Sequence, residues 1–113
     1  MLTVFGSSPA SSEEILGPWC FKPDPNNRIY NQIITIKATD YGTYEAHIEM
    51  LFVFPQTFDL IKASEDNFEV SGGLNQEGYR LVSEGNLEFY NIYGTVGIAI
   101  KIPEDQDQQD CFN

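Results

Sequence analysis

The chain has 113 residues, of which 42% are apolar and 13% aromatic, and its 17 acidic and 6 basic residues give a formal net charge of −11. This length and composition predict one globular domain with a single hydrophobic core, not a disordered chain. So negative a charge argues against nucleic acid and anionic membrane as partners, because both would repel the protein. The sequence has no run of about 18 apolar residues, so we expect no membrane-spanning helix.

The N-terminal residues 1–10 are interpreted as a flexible segment. Leu2, Val4 and Phe5 precede the small residues 6–10, a pattern that resembles the end of a secretory signal and its cleavage site. We therefore interpret this segment as a signal remnant and expect a periplasmic or secreted protein, with the cytoplasm as the alternative.

The predicted domain covers residues 11–103 and begins with a short helical turn. The Ser-Ser-Glu-Glu sequence at 11–14 is typical of a capping box, and Gly17–Pro18 would end the turn before it could grow. A first short strand is then expected over residues 19–21.

Short segments of alternating apolar and polar residues follow as far as residue 102, separated by turn residues. Such a pattern with short connections predicts antiparallel neighbouring strands, about eight in all. We expect an all-β fold, either a small up-and-down barrel or a strongly curved open meander. On the strand that begins at Tyr44, the side chains of Tyr44, Ala46, Ile48 and Met50 are expected to face inward. On the last strand the larger apolar residues are expected to face inward, opposite Gly97 and Ala99; they are Val96, Ile98, Ile100 and Ile102. Residues 104–113 are predicted to be a solvated, disordered acidic tail.

The bulky inward side chains of these short strands predict a filled interior. An eight-stranded barrel is either just filled by its side chains or able to hold one small ligand. We expect the first case, which would place function on the outer surface. A central volume above about 300 Å³ would instead favour a ligand site.

The two cysteines, Cys20 and Cys111, lie near opposite ends of the predicted domain. An even number of cysteines in a small β protein predicts one disulfide in an oxidising compartment, with two free cytosolic thiols as the alternative. The sequence has no Cys-x-x-Cys pair, so a cysteine zinc site is not expected.

Gly17-Pro18-Trp19, at the opening of the first predicted strand, resembles the Gly-x-Trp signature of lipocalins and other calycins. The resemblance implies a barrel in which the tryptophan plugs one end. Leu16 to Trp19, residues 87–90 and Gly94 are similar in style to secreted bacterial calycin-like inhibitors of metalloproteases. That likeness implies an inhibitory barrel, without assigning inhibitory residues.

One strand face carries candidate metal ligands. Glu45, His47 and Glu49 alternate on it, about 6.7 Å apart, which is wide for three ligands on one metal. An exposed polar face is the alternative. The single histidine lies within a strand and the sequence has no Gly-x-Ser-x-Gly motif, so we expect no catalytic residues, no enzymatic activity and no cofactor.

The acid surplus, together with exposed tyrosines, predicts an interface for a basic protein. The candidate interface residues are Glu88, Tyr90, Tyr93, Asp105, Asp107 and Asp110. The predicted function is that of a non-catalytic acidic protein that neutralises or inhibits a basic partner, as an immunity protein or enzyme inhibitor does. The alternatives are a small calycin-like binder of an apolar ligand and an acidic mimic of nucleic acid.

Overall fold

The computed structural model describes residues 14–23, 30–39 and 42–113, and it shows a closed barrel of eight antiparallel strands. Each strand pairs with its neighbours in the sequence, and the last strand pairs with the first through Trp19–Lys101 and Cys20–Ile100. The up-and-down barrel expected from the alternation is confirmed. The strands are β1 (Ile15–Phe21), β2 (Gln32–Ala38), β3 (Tyr44–Met50), β4 (Val53–Ser64), β5 (Asn67–Val70), β6 (Gly78–Leu81), β7 (Leu87–Asn91) and β8 (Gly94–Lys101).

The first strand begins earlier than the sequence suggested. It starts at Ile15 and continues through Gly17–Pro18, whose peptide bond is cis. Glu14 is not helical, and the rest of the helical turn expected over residues 11–14 lies outside the described residues, as do residues 1–10. None of the helices in the described ranges is long and apolar enough to cross a membrane.

The inward faces of the strands form the main core. On β3, Ala46 and Ile48 are buried, as the alternation predicted, while Glu45 and Glu49 take the other face. The edge of the Tyr44 ring meets the Phe68 ring, with centroids 5.1 Å apart. The largest side chains buried on the inward faces are Trp19, Ile36, Leu60, Phe68 and Leu87.

The expected facing of β8 is wrong. Ala99 is buried in the main core, whereas Ile98 and Ile100 are largely exposed on the outer face. Gly97 also faces inward, because a Cβ atom there would overlap the ring of Phe21. Side chains alternate with a period of two over residues 97–100, so Gly97 and Ala99 take the interior, and Ile98 and Ile100 turn outward.

The C-terminal segment is folded, in contrast to the disordered tail expected over residues 104–113. It forms a 3-10 helix over Gln108–Phe112, capped by the Asp107 side chain, which accepts a hydrogen bond from the Gln109 amide at 3.0 Å. The predicted disulfide between Cys20 and Cys111 is present. It lies in a second apolar cluster on the outside of the barrel, formed by Ile33, Ile102, Cys111, Cys20 and Phe112.

Candidate functional site

The two ends of the barrel differ in how they are filled. At the closed end, where β2, β4, β6 and β8 finish, the Trp19 indole donates a hydrogen bond to the Gly85 carbonyl oxygen at 2.7 Å. The Lys101 ammonium lies 5.5 Å from the centre of the indole ring and donates to the Gly17 carbonyl oxygen at 2.7 Å. The tryptophan and the lysine together therefore plug this end.

The open end, where β1, β3, β5 and β7 finish, contains a cavity of about 490 Å³. Its walls are mainly apolar and come from inward-facing residues on several strands. The expectation of a filled interior is therefore wrong for this half of the barrel. The apolar lining residues that face inward are Phe21, Ile34, Ile48, Phe58, Leu87, Phe89 and Ala99.

The small residues of β8 account for much of this space. Gly97 and Ala99 contribute only a hydrogen atom and a methyl group to the interior wall, where isoleucines had been expected. The Phe21 ring covers Gly97. Ala99 lies opposite Leu87 on β7, and its own side chain is only a methyl group. The small side chains of β8 therefore leave room beside the packed core.

The polar groups of the cavity are few. Gln32 and Gln56 line it at the open ends of β2 and β4, and Lys22 follows the end of β1. Tyr79 also lines it and stacks on Phe89, with ring centroids 5.2 Å apart. Burial, with a smaller effect from Glu77, raises the pKa of Tyr79 to about 12, so its hydroxyl stays neutral at physiological pH. The cavity therefore offers apolar walls, two amides and one lysine.

The candidate metal ligands lie on the outer face of β3, as predicted. The Nε2 atom of His47 lies 3.1 Å from a carboxylate oxygen of Glu45, and Glu49 is exposed further along the strand. Within the described ranges, no three His, Cys, Asp or Glu side chains come close enough together to hold a metal ion. Glu45 and His47 form a polar pair on this face.

Two of the predicted interface residues are engaged within the barrel wall. The Glu88 carboxylate, which is almost buried, accepts hydrogen bonds from Arg80 at 2.9 Å and from Thr95. The Arg80 guanidinium lies 4.6 Å from the centre of the Tyr90 ring, and the Tyr90 hydroxyl donates to the Asn67 side chain at 2.6 Å. This network links the outer faces of β5 to β8.

The other predicted interface residues lie in two separate places. Tyr93 is exposed on the turn between β7 and β8 at the open end. Asp105, Asp107 and Asp110 are exposed on the C-terminal segment, whose 3-10 helix packs beside β1 and β2. The structure therefore does not gather the six residues into one contact surface.

Sequence reasoning missed the cavity and the apolar residues around its mouth. Phe52 and Phe54 lie at the open end, and their exposure is almost complete. The loss of alternation over residues 51–54 was the available signal, together with the small residues of β8. Neither signal pointed to a cavity mouth, because the position of a strand relative to the barrel end is not visible in its own sequence.

No family model, no curated protein and no solved structure matches this chain.

Proposed function

We propose that this barrel binds a small, mainly apolar molecule in the cavity at its open end. The observation that carries the proposal is the cavity of about 490 Å³, which is open at one end and lined mainly by inward-facing apolar side chains. Ligand sites in proteins typically have volumes of about 300–1,000 Å³, apolar walls and a small number of polar groups. The cavity fits that description in size and in lining.

The lining also suggests the chemistry of the ligand. Phe21, Phe58 and Phe89 supply flat apolar surface, which suits an aliphatic or aromatic body. Gln32 and Gln56 offer both hydrogen-bond donors and acceptors near the mouth. We therefore expect an apolar body buried in the barrel and a hydroxyl, carbonyl or amide group at the mouth.

Two further features support a binding role of this kind. Gly17 and Trp19 resemble the calycin signature, and the indole is buried at the end opposite the cavity. The Cys20–Cys111 disulfide supports a periplasmic or secreted location, because disulfides persist in oxidising compartments. We propose an exported, calycin-like binding protein.

Blocking the mouth tests this proposal. Gln56 is exposed and lines the cavity, whereas the adjacent Thr57 lies on the other face of β4, opposite His47. Replacing Gln56 with tryptophan should weaken the binding of the neutral probe N-phenyl-1-naphthylamine by about tenfold or more, because the indole would occupy the entrance and each factor of ten needs only about 1.4 kcal/mol. The measurement is a fluorescence titration of the probe.

The matched control is Thr57→Trp, which adds the same side chain to the outer face. It should bind the probe as the unmodified protein does. Equal affinity of all three proteins, or no saturable binding by the unmodified protein, would contradict a ligand site in the barrel.

The acid surplus supports a second candidate function, the binding of a basic protein. Glu45 on β3 lies between Lys37 on β2 and Asp59 on β4, so a basic residue is opposite one side of it and an acidic residue is opposite the other. Glu69 is exposed on β5. Like charges placed opposite each other on adjacent strands destabilise a sheet, and a cationic partner would relieve that repulsion. This face lies on the side of the barrel and leaves the cavity mouth free.

Association kinetics with cationic secreted hydrolases test this second candidate. The association rate of any bound hydrolase should fall by about tenfold or more between low and physiological salt, because screening weakens steering. Asp59→Asn with Glu69→Gln should slow association, whereas Asp105→Asn with Asp107→Asn is the matched control on the C-terminal segment. An association rate that does not depend on salt would contradict the candidate.

A further inference from the structure

The most exposed apolar side chains of the described residues lie at one end of this barrel. In an up-and-down barrel, the connections β1–β2, β3–β4, β5–β6 and β7–β8 all lie at the same end, which here is the open end. Each of these connections, or the strand residues beside it, carries at least one exposed apolar side chain. We call this set the rim: Tyr30, Phe52, Phe54, Leu74, Ile92 and Tyr93.

The rim residues are exposed to an unusual degree. The exposed fractions are 92% for Phe52, 90% for Phe54, 95% for Leu74 and 89% for Tyr93. Phe52 also has a φ of 64°, a left-handed conformation that is unfavourable for a bulky residue, and its ring projects into solvent. Large exposed apolar groups that are clustered mark an interaction site, whereas scattered ones need no explanation.

The rim lies at the same end of the barrel as the cavity mouth. Phe54 lies at the open end of β4, where the pairing with β3 shifts register between Gln56 and Val53. The Ile92 amide donates to the Asn75 carbonyl oxygen at 2.8 Å, which joins the β7–β8 turn to the β5–β6 connection. An apolar surface facing this end would thus meet both the rim and the cavity.

The rim is almost free of charge, although the chain as a whole is strongly acidic. Within the described residues of the four connections, Lys22 and Glu77 are the charged residues, and their charges cancel. The connections at the closed end carry Glu65, Asp66 and Glu84. Within the described residues the four connections therefore carry no net charge, so they offer neither an excess of cations that would attract anionic lipid nor an excess of acids that a neutral surface would have to desolvate.

We propose that the rim docks on a neutral, zwitterionic lipid surface, with the cavity mouth facing the lipid. Phenylalanine, leucine and isoleucine would enter the headgroup and acyl boundary, and the tyrosines suit the interfacial level. The sequence-based expectation of no membrane partner used the net charge alone, whereas the charge is unevenly distributed. Docking in this orientation would let an apolar molecule pass from the lipid into the cavity. That route rests on the proposed function, whereas the docking itself does not.

Flotation with phosphatidylcholine vesicles tests the docking. The unmodified protein should float with the vesicles, and Phe52→Ser with Phe54→Ser should reduce the bound fraction by about tenfold or more, because two fully exposed aromatic side chains are removed from the contact. The matched control removes two half-exposed aliphatic residues from the sides of the barrel, Ile61→Ser with Ile100→Ser. It should float as the unmodified protein does.

Three results would overturn the docking proposal. These are no flotation of the unmodified protein, equal flotation of the rim variant, or a requirement for added phosphatidylserine. A dimer that the rim variant abolishes, without vesicle binding, would also overturn it by assigning the rim to a second copy of the chain.

A lipid-free titration of the same proteins with N-phenyl-1-naphthylamine separates docking from ligand binding. We expect the rim variant to keep its probe affinity while losing flotation. Probe binding without flotation would overturn the docking proposal and leave the proposed function standing. Flotation without probe binding would overturn the proposed function and the lipid-to-cavity route, and would support docking alone.

Discussion

Replacing Cys20 and Cys111 with serine together is expected to lower the free energy of unfolding by about 4 kcal/mol. The two cysteines are 91 residues apart in the sequence, so their bond restricts nearly the whole unfolded chain. In the chain-entropy description, a cross-link over a loop of this length stabilises a protein by about 4 to 5 kcal/mol. The structural effect reinforces this, because the disulfide holds the C-terminal 3-10 helix against β1 and β2.

Urea unfolding monitored by Trp19 fluorescence measures this loss. The single variants Cys20→Ser and Cys111→Ser should each lose about as much stability as the double variant, because either one removes the whole cross-link. A loss below about 1 kcal/mol in the double variant would show that the C-terminal segment does not depend on the disulfide for its position.

Replacing Trp19 with alanine is expected to lower the free energy of unfolding by about 3 to 5 kcal/mol, the usual cost of deleting a buried aromatic side chain. Trp19 is 2% exposed and belongs to the main core. Its removal would also leave the Gly85 carbonyl oxygen and the Lys101 ammonium without the indole that each contacts. Thermal unfolding followed by circular dichroism at several urea concentrations measures the effect.

The conservative variant Trp19→Phe separates packing from hydrogen bonding. It keeps an aromatic ring at the closed end and removes the indole N–H, so a smaller loss of about 1 to 2 kcal/mol is expected. If Trp19→Ala were no less stable than Trp19→Phe, the tryptophan would not be the plug that closes the barrel.

Much of the fold could be predicted from local sequence. On β2 and β3 the polar residues Lys37, Glu45 and Glu49 alternate with apolar ones, so the inward face was unambiguous. Short turns between such strands leave antiparallel pairing as the simplest arrangement, and a small up-and-down sheet of about eight strands closes readily. The disulfide was expected from the even number of cysteines in a small β protein, and pairing of the last strand with the first is consistent with it.

The facing of β8 could not be predicted by the same rule. Its outer residues Ile98 and Ile100 are apolar, and its inner residues Gly97 and Ala99 are small, so hydrophobicity alone gives the wrong face. The deciding contact is the Phe21 ring against Gly97, which joins β1 to β8 across most of the chain length. Packing between strands that are distant in the sequence cannot be read from the alternation pattern of either strand.

The candidate site could not be predicted for the same reason, because the cavity depends on how β8 packs against its neighbours. With the isoleucines inward, the interior would have been expected to fill, and function was therefore assigned to the outer surface. The predicted interface residues Glu88 and Tyr90 instead contact Arg80 and Asn67 within the wall. Tyr93 was correctly expected to be exposed, and its place on the rim becomes clear only from the order of the strands.

The most direct test of a ligand in the barrel is a methyl NMR titration with N-phenyl-1-naphthylamine. Ile34 and Ile48 line the cavity, whereas Ile61 and Ile100 lie on the outer faces of β4 and β8. A saturable change in the methyl shifts of the first pair, with the second pair unchanged, is the expected result. Shifts confined to the outer pair, or no saturable shift at all, would contradict binding inside the barrel.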